Sequence, residues 1–158
     1  IYMGDWSSDV CSSDLTELAF GPRLQRFAGE HDGYLRLTDP VAHKRTIEYD
    51  EPTRTFAITD ELEGAGTHEV ARHWHFAEGL EPAVEESGTC SVRVGAYTVT
   101  IGSLHPLDEV RVHRGGAAAE GGWVSRSFGR KTPSTTLEWR SRITGNAMLV
   151  TRIRCNKD

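Results

Sequence analysis

The chain has 158 residues, 37% of them apolar and 26% charged, with a mean hydropathy of −0.46. That length allows one domain with a core of its own, and no apolar run approaches the roughly 18–20 residues of a helical membrane span. Eighteen basic residues against 23 acidic ones leave a net charge of −5, and their scatter gives no electrostatic case for nucleic acid or an anionic membrane surface.

The first fifteen residues, IYMGDWSSDVCSSDL, stand apart. GDWSSDVCSSDL back-translates to a common short-read sequencing adapter, so residues 1–15 read as a translated artefact; the other reading is a genuine Ser/Asp-rich leader. Such segments are kept out of fold reasoning. Asp5, Asp9 and Asp14 leave with the stretch, which brings the remainder to −2. Cys11 leaves too, and the remaining pair, Cys90 and Cys155, makes no disulfide framework and fixes no compartment. Residues 16–158 are then left for one domain.

From Thr16 to Gly29 the apolar positions Leu18, Phe20, Leu24 and Phe27, broken at Gly21-Pro22, suit a strand. His31-Asp32-Gly33 reads as a turn, because Asp and Gly tolerate left-handed backbone. His43 to Tyr49 alternates with period two: His43, Arg45, Ile47 and Tyr49 share one face. Asp50-Glu51-Pro52-Thr53 is a turn with Pro52 at a favoured position. Arg54, Phe56, Ile58, Asp60 and Leu62 then align, Glu63-Gly64-Ala65-Gly66 turns the chain again, and Val70, Arg72, Trp74 and Phe76 line the next strand. The turns predict a three-stranded meander in which Ile47 faces Phe56, His43 faces Asp60, Asp60 faces Val70 and Ile58 faces Arg72. In that register Ile47, Tyr49, Phe56, Ile58, Val70, Trp74 and Phe76 share one face, and a one-residue slip would turn them all outward.

Beyond Gly79, residues 89–94 and 96–101 predict a hairpin around Gly95, with Cys90, Val92, Val94, Tyr97, Val99 and Ile101 as core candidates. Val110 and Val112 point inward from 108–113. Residues 115–122 read as a mobile small-residue loop, 123–128 as a short strand. Leu137, Trp139 and Ile143 alternate before Thr144-Gly145-Asn146 turns into 148–155. The fold class is therefore all-β, an antiparallel β-sandwich of layered sheets with about ten short strands.

Two polar constellations interrupt the apolar pattern. Asp60 lies on an apolar face, where an unpaired carboxylate would cost several kcal/mol or shift its pKa upward. The predicted register offers His43 opposite and Arg72 diagonally, an internal clamp between three strands rather than a catalytic cluster. His73 and His75 project to one side of a strand and could share a metal. Their surroundings are similar to the first cupin motif, but Gly66 and Glu78 each miss its spacing by one, and no second motif follows. Trp74, Trp123 and Trp139 are of the kind that stacks on sugars; Trp74 and Trp139 sit in alternating strands and read as core. No nucleophile elbow, phosphate-binding loop or dinucleotide fingerprint occurs.

In order along the chain come His31-Asp32-Gly33-Tyr34, Asp39-Pro40-Val41-x-His43-x-Arg45, Asp60-x-Leu62-Glu63-Gly64-x-Gly66-x-His68 and His73-x-His75-Phe76-Ala77. Gly122-Trp123-Val124-Ser125, Phe128-Gly129 and Pro133 follow, with Phe128 where a Tyr is more usual. Together, over about Glu30 to Cys155, they resemble the heparinase II/III-like family. The resemblance implies a two-part enzyme, an α/α toroid followed by a β-sandwich, that cleaves uronic-acid polysaccharides by β-elimination. A base takes the C5 proton, the uronate carboxylate is neutralised, and an acid assists departure of the C4 oxygen. The family's His-Ala-Asp-x-x-Ser-Phe motif is missing here, so no catalytic, cofactor-binding or metal-binding residue is carried over, His31 and Tyr34 included.

The reading is thus the C-terminal β-sheet domain of a polysaccharide lyase, supporting a missing toroid and inactive alone. Its implied partners are that toroid and the parent's acidic polysaccharide, with no nucleic acid and no membrane. No cofactor is expected in the fragment, the resemblance leaves room for a divalent metal in the parent, and it suits a periplasmic or secreted setting. The alternatives are a cupin-like metal-binding sandwich and a stand-alone carbohydrate-binding module.

Overall fold

The computed structural model describes residues 13–116 and 121–158. Thirteen strands run through them: β1 (Ser13–Phe20), β2 (Leu24–His31), β3 (Val41–Asp50), β4 (Thr55–Gly64), β5 (Thr67–His75), β6 (Ala83–Val84), β7 (Cys90–Val94), β8 (Tyr97–Ser103), β9 (Glu109–Arg114), β10 (Trp123–Ser127), β11 (Arg130–Pro133), β12 (Thr135–Thr144) and β13 (Ala147–Lys157). An eight-stranded sheet has the order β1-β2-β3-β4-β13-β8-β7-β6, a three-stranded sheet the order β5-β12-β9, and β10-β11 stands as a separate hairpin. Every pairing is antiparallel. The all-β layered class is as expected, with more strands than the ten anticipated. Ser13, Asp14 and Leu15, from the stretch set aside as adapter, extend β1 and pair with His31, Glu30 and Gly29.

The meander needs two corrections. First, β3 and β4 pair two residues away from the predicted register: Ile47 faces Ile58, Arg45 faces Asp60, and His43 faces Leu62. The turn runs through residues 51–54, with Arg54 in left-handed backbone (φ 51°) and its N–H bonded to the Glu51 carbonyl at 3.1 Å. Arg54 is therefore a turn residue and not part of the strand. Because the slip is even, every side chain keeps its face. Second, β5 does not pair with β4. The Gly64–Gly66 turn carries the chain from the large sheet into the small one, and the link at Gly145-Asn146 carries β12 back into it as β13. The two links are bonded side by side, Gly145 N–H to the Gly66 carbonyl at 2.8 Å and Gly64 N–H to Asn146 Oδ1 at 3.2 Å. Each crossing leaves its strand a partner: β13 pairs with β4, and β12 with β5.

The core lies between the two sheets. Cys90, Val92 and Ile101 of the large sheet pack on Leu137, Trp139 and Phe76; Val41, Leu62 and Leu149 pack on Ile143. Among the other core candidates, Val99 and Val110 pack against this cluster, whereas Val94, Tyr97 and Val112 are exposed near strand ends and sheet edges.

The small sheet covers only part of the large one. The row Leu18–Phe27–Ile47–Ile58 runs straight across β1 to β4 by direct pairing, and only its Ile58 end is buried, while Leu18 and Phe27 are exposed. Leu15 and Phe20 are exposed with them. On the opposite face Arg26 links Glu17 at 3.0 Å to Glu48 at 2.9 Å, and the neighbouring Ala28 and Thr46 are buried. One side of this half-sheet is thus finished by ion pairs, and the other is an apolar layer with nothing over it among the described residues.

Candidate functional site

Asp60 is the most constrained carboxylate on the large sheet. It is 3% exposed, on the inward face of β4. The Arg45 guanidinium, directly across on β3, donates to its Oδ1 at 2.6 Å, and His43 Nε2 lies 2.8 Å from the same atom. Burial pushes the Asp60 carboxyl up, but hydrogen bonds from His43 and Arg45, with their charges, outweigh it and leave its pKa below the ordinary value.

The chain of bonds continues outward. His43 Nδ1 is 2.9 Å from His31 Nε2, and the Gly33 backbone N–H donates to His31 Nδ1 at 3.2 Å. A backbone N–H can only donate, so His31 Nδ1 is an acceptor and its proton sits on Nε2. His31 then donates to His43 Nδ1, and His43 carries its proton on Nε2, toward Asp60. Tyr34 packs its ring edge on His31, 4.8 Å between centroids. A general base needs a lone pair free to take a substrate proton, and here each ring nitrogen already has a partner. The relay opens onto a depression of about 390 Å³ lined by Asp14, Glu30, Asp32, Glu61 and Glu63 against Lys44. That excess of negative charge repels an acidic ligand.

Arg72, the expected third member of the clamp, is not bonded to Asp60. It belongs to the small sheet and bridges the layers, donating to Thr151 Oγ1 of β13 at 3.1 Å and Ser103 Oγ of β8 at 3.0 Å. Its guanidinium also lies 5.3 Å from the Trp139 ring centroid. Burial lowers its pKa, and the Asp60 charge acts to raise it. The clamp is therefore Asp60–His43–Arg45 within one sheet, with Arg72 tying that sheet to the other.

The second cluster covers the outer face of the small sheet. Direct pairing sets His73 beside Glu138 and His75 beside Thr136. Glu138 is 2% exposed, with His113 Nε2 at 2.7 Å from one oxygen and Arg140 Nε at 2.5 Å from the other. His75 Nδ1 is 2.9 Å from Thr136 Oγ1, which also accepts the Gly122 N–H at 2.9 Å. The rings of His73 and His75 lie parallel, 6.3 Å apart. Among the described residues, no three His, Cys, Asp or Glu groups are placed to hold a metal ion. The Glu138 network escaped the sequence because Glu138 sits between Leu137 and Trp139 at an outward position, where a carboxylate is ordinary.

A glycine fixes the edge of this face. The Gly122 carbonyl accepts N–H groups from Gly115 at 2.9 Å and Ser134 at 2.8 Å. Its φ of +80° and backbone atoms of Arg114 and Gly115 within 3 Å of any Cβ leave room for glycine only. Of the loop expected to be mobile at 115–122, residues 117–120 lie outside the described residues, and its flanks are tied by the Gly115–Gly122 bond. Trp74 and Trp139 pack in the core as expected, edge to face at 5.7 Å. Trp123 sits at the base of the β10-β11 hairpin, its indole N–H donating to the Gly116 carbonyl at 3.2 Å. Cys90 and Cys155 are free thiols, and burial raises Cys90 to about 11.

These clusters predict a two-stage loss of stability in acid. Burial, then the His43 charge, holds His31 below its ordinary 6.5, and Asp32 opposes them; burial does the same to His73 against the pull of Glu138. The unfolded chain takes up these protons first, so the contribution is full above about pH 6.5 and declines as pH falls through that value and the folded ones. Asp60 and Glu138 have lowered pKa values, so theirs persists until pH falls below the ordinary carboxylate range. Urea midpoints from pH 8 to 3 should show both declines, and His31→Asn should flatten the first. An unchanged first decline in that variant would refute the assignment.

No curated protein matches this chain. Its structure is similar to a mutant of the heparan sulfate lyase HepC from Pedobacter heparinus, with TM-score 0.73 and 15% identity over 92% of this chain and 22% of that one. It is similar also to a heparinase III gene product (TM-score 0.72, 18% identity, 92% and 22%) and to another heparinase III (0.69, 11%, 92% and 21%). At such identities the likeness speaks for the fold, and the chain spans about a fifth of those proteins. The heparinase II/III-like C-terminal family model matches residues 5–155. A match over nearly the whole chain, joined to this layered antiparallel architecture, places the protein in the heparinase II/III-like family as a C-terminal domain.

Proposed function

We propose that this chain is the C-terminal β-sandwich of a larger polysaccharide lyase that cleaves uronic-acid-containing polysaccharides by β-elimination, and that it supports a catalytic α/α toroid preceding it. The family match over residues 5–155 carries the reading. Two features of the fold support it. The apolar layer Leu18, Phe20, Phe27 is exposed on one face of the sheet, a feature of interaction surfaces, and the preceding part of the protein is its occupant. In the His31–His43 relay every imidazole nitrogen is committed to a neighbour, which supports placing the base and acid of the elimination elsewhere. The cupin-like and stand-alone binding-module readings are not favoured, since the family match accounts for the same residues.

The test is a paired assay on heparan-type and alginate-type polysaccharides, following the ultraviolet absorbance of the unsaturated uronate product. The full-length protein from the complete reading frame is expected to form it. A full-length protein that folds but forms none from any uronate polymer would overturn the lyase reading.

A further inference from the structure

The β10-β11 hairpin belongs to neither layer: its strands bond only to each other. An isolated two-stranded hairpin is marginal in water, yet this one is braced. Its base carries the Gly122 clasp, Lys131 Nζ lies 4.0 Å from the Trp123 ring centroid, and the Arg126 guanidinium grips both oxygens of Glu78. Between Trp123 and Pro133 there are three cations, Arg126, Arg130 and Lys131, and no carboxylate, in a chain whose net charge is −5. At the tip Phe128 is fully exposed, and Gly129 turns the chain with φ +71°. Arg130, two residues from Phe128, forms no ion pair among the described residues.

We infer that this hairpin is a contact site for the acidic polysaccharide, an inference that rests on the lyase reading above. The chemistry needs two kinds of group. A planar guanidinium matches a carboxylate or sulfate through paired hydrogen bonds, which Arg130 supplies with Lys131 beside it. An aromatic ring covers the apolar C–H face of a pyranose, which Phe128 supplies. The sign of the charge separates this place from the depression at His31, where carboxylates dominate. Nucleic acid is the weaker candidate, because it draws its affinity from many phosphate contacts along a basic track, and the basic stretch here ends with one hairpin.

The test uses the 158-residue chain with heparan sulfate and polymannuronate as probes, dextran as the neutral control, and a single-stranded oligonucleotide as a second polyanion. Affinity electrophoresis should show retardation by the two acidic polysaccharides and not by dextran. Arg130→Ala with Lys131→Ala should weaken binding about tenfold, the loss of one to two charge-assisted contacts; Phe128→Ala should weaken it about threefold. Arg130→Gln, which leaves Lys131 on Trp123, should lose part of the affinity with an unchanged melting temperature. Arg93→Ala, an exposed arginine on β7, should bind within about twofold of the unaltered chain. Absence of retardation, equal binding by the double variant, or tighter binding of the oligonucleotide would each overturn the assignment. This outcome is separable from the lyase assay, since the chain's binding is measured without turnover and full-length catalysis without these variants.

Discussion

Trp139→Ala is expected to remove about 4 kcal/mol of folding stability, the usual range for deleting a fully buried indole. Trp139 is 0% exposed in the middle of β12. It joins three parts of the fold: its N–H donates to the Gly88 carbonyl at 3.0 Å, its ring meets Trp74, and the Arg72 guanidinium lies over it. The deletion therefore opens a cavity, orphans a buried carbonyl, and strips one face from a buried cation. For a domain whose total stability is about 5–15 kcal/mol, that loss leaves little. Urea unfolding should show a much lower midpoint with a similar slope, and Trp123→Ala, at a partly exposed hairpin base, should cost under about 1 kcal/mol. Equal costs for the two would mean that the layer contact is misplaced.

Asp60→Ala is expected to cost about 3 kcal/mol. Breaking a buried ion pair from one side costs roughly 3–5 kcal/mol, and the partial exposure of Arg45, whose side chain is 45% accessible, puts this case at the low end. The loss comes from what is left behind: His43 loses the acceptor that orders its ring, and Arg45 loses the carboxylate across the ladder. Asp60→Asn keeps the shape and part of the hydrogen bonding, so it should cost about half as much. An unchanged melting temperature for Asp60→Ala would defeat the structural role and return the cluster to consideration as a reactive site.

How far the sequence led follows from which facts are local. Parity along a strand is local, so the alternation from His43 to Phe76 placed Asp60 and Arg72 on inward faces correctly, even though the register was displaced by two. The displacement came from Arg54, whose left-handed backbone no residue-type rule would assign to arginine. The departure of β5 was illegible for a different reason. A Gly-rich turn serves equally well to fold a hairpin and to cross between layers, and the choice depends on β12 and β13, far along the chain, which take the places beside β5 and β4. The same distance hid the Glu138 network, whose partner His113 comes from β9, far back along the chain.

The clusters share one physical logic. Each buried carboxylate has two cationic or imidazole partners, and each histidine in the relay has its nitrogens fixed by neighbours. Groups committed in this way stabilise and orient strands, and the ring nitrogens of His31 and His43 keep no lone pair for a substrate. The most direct measurement of that claim is the unsaturated-uronate assay run on the 158-residue chain itself, beside the full-length protein on the same polysaccharides. The expected result is product from the full-length protein and none from the chain; product formed by the chain alone would contradict the account.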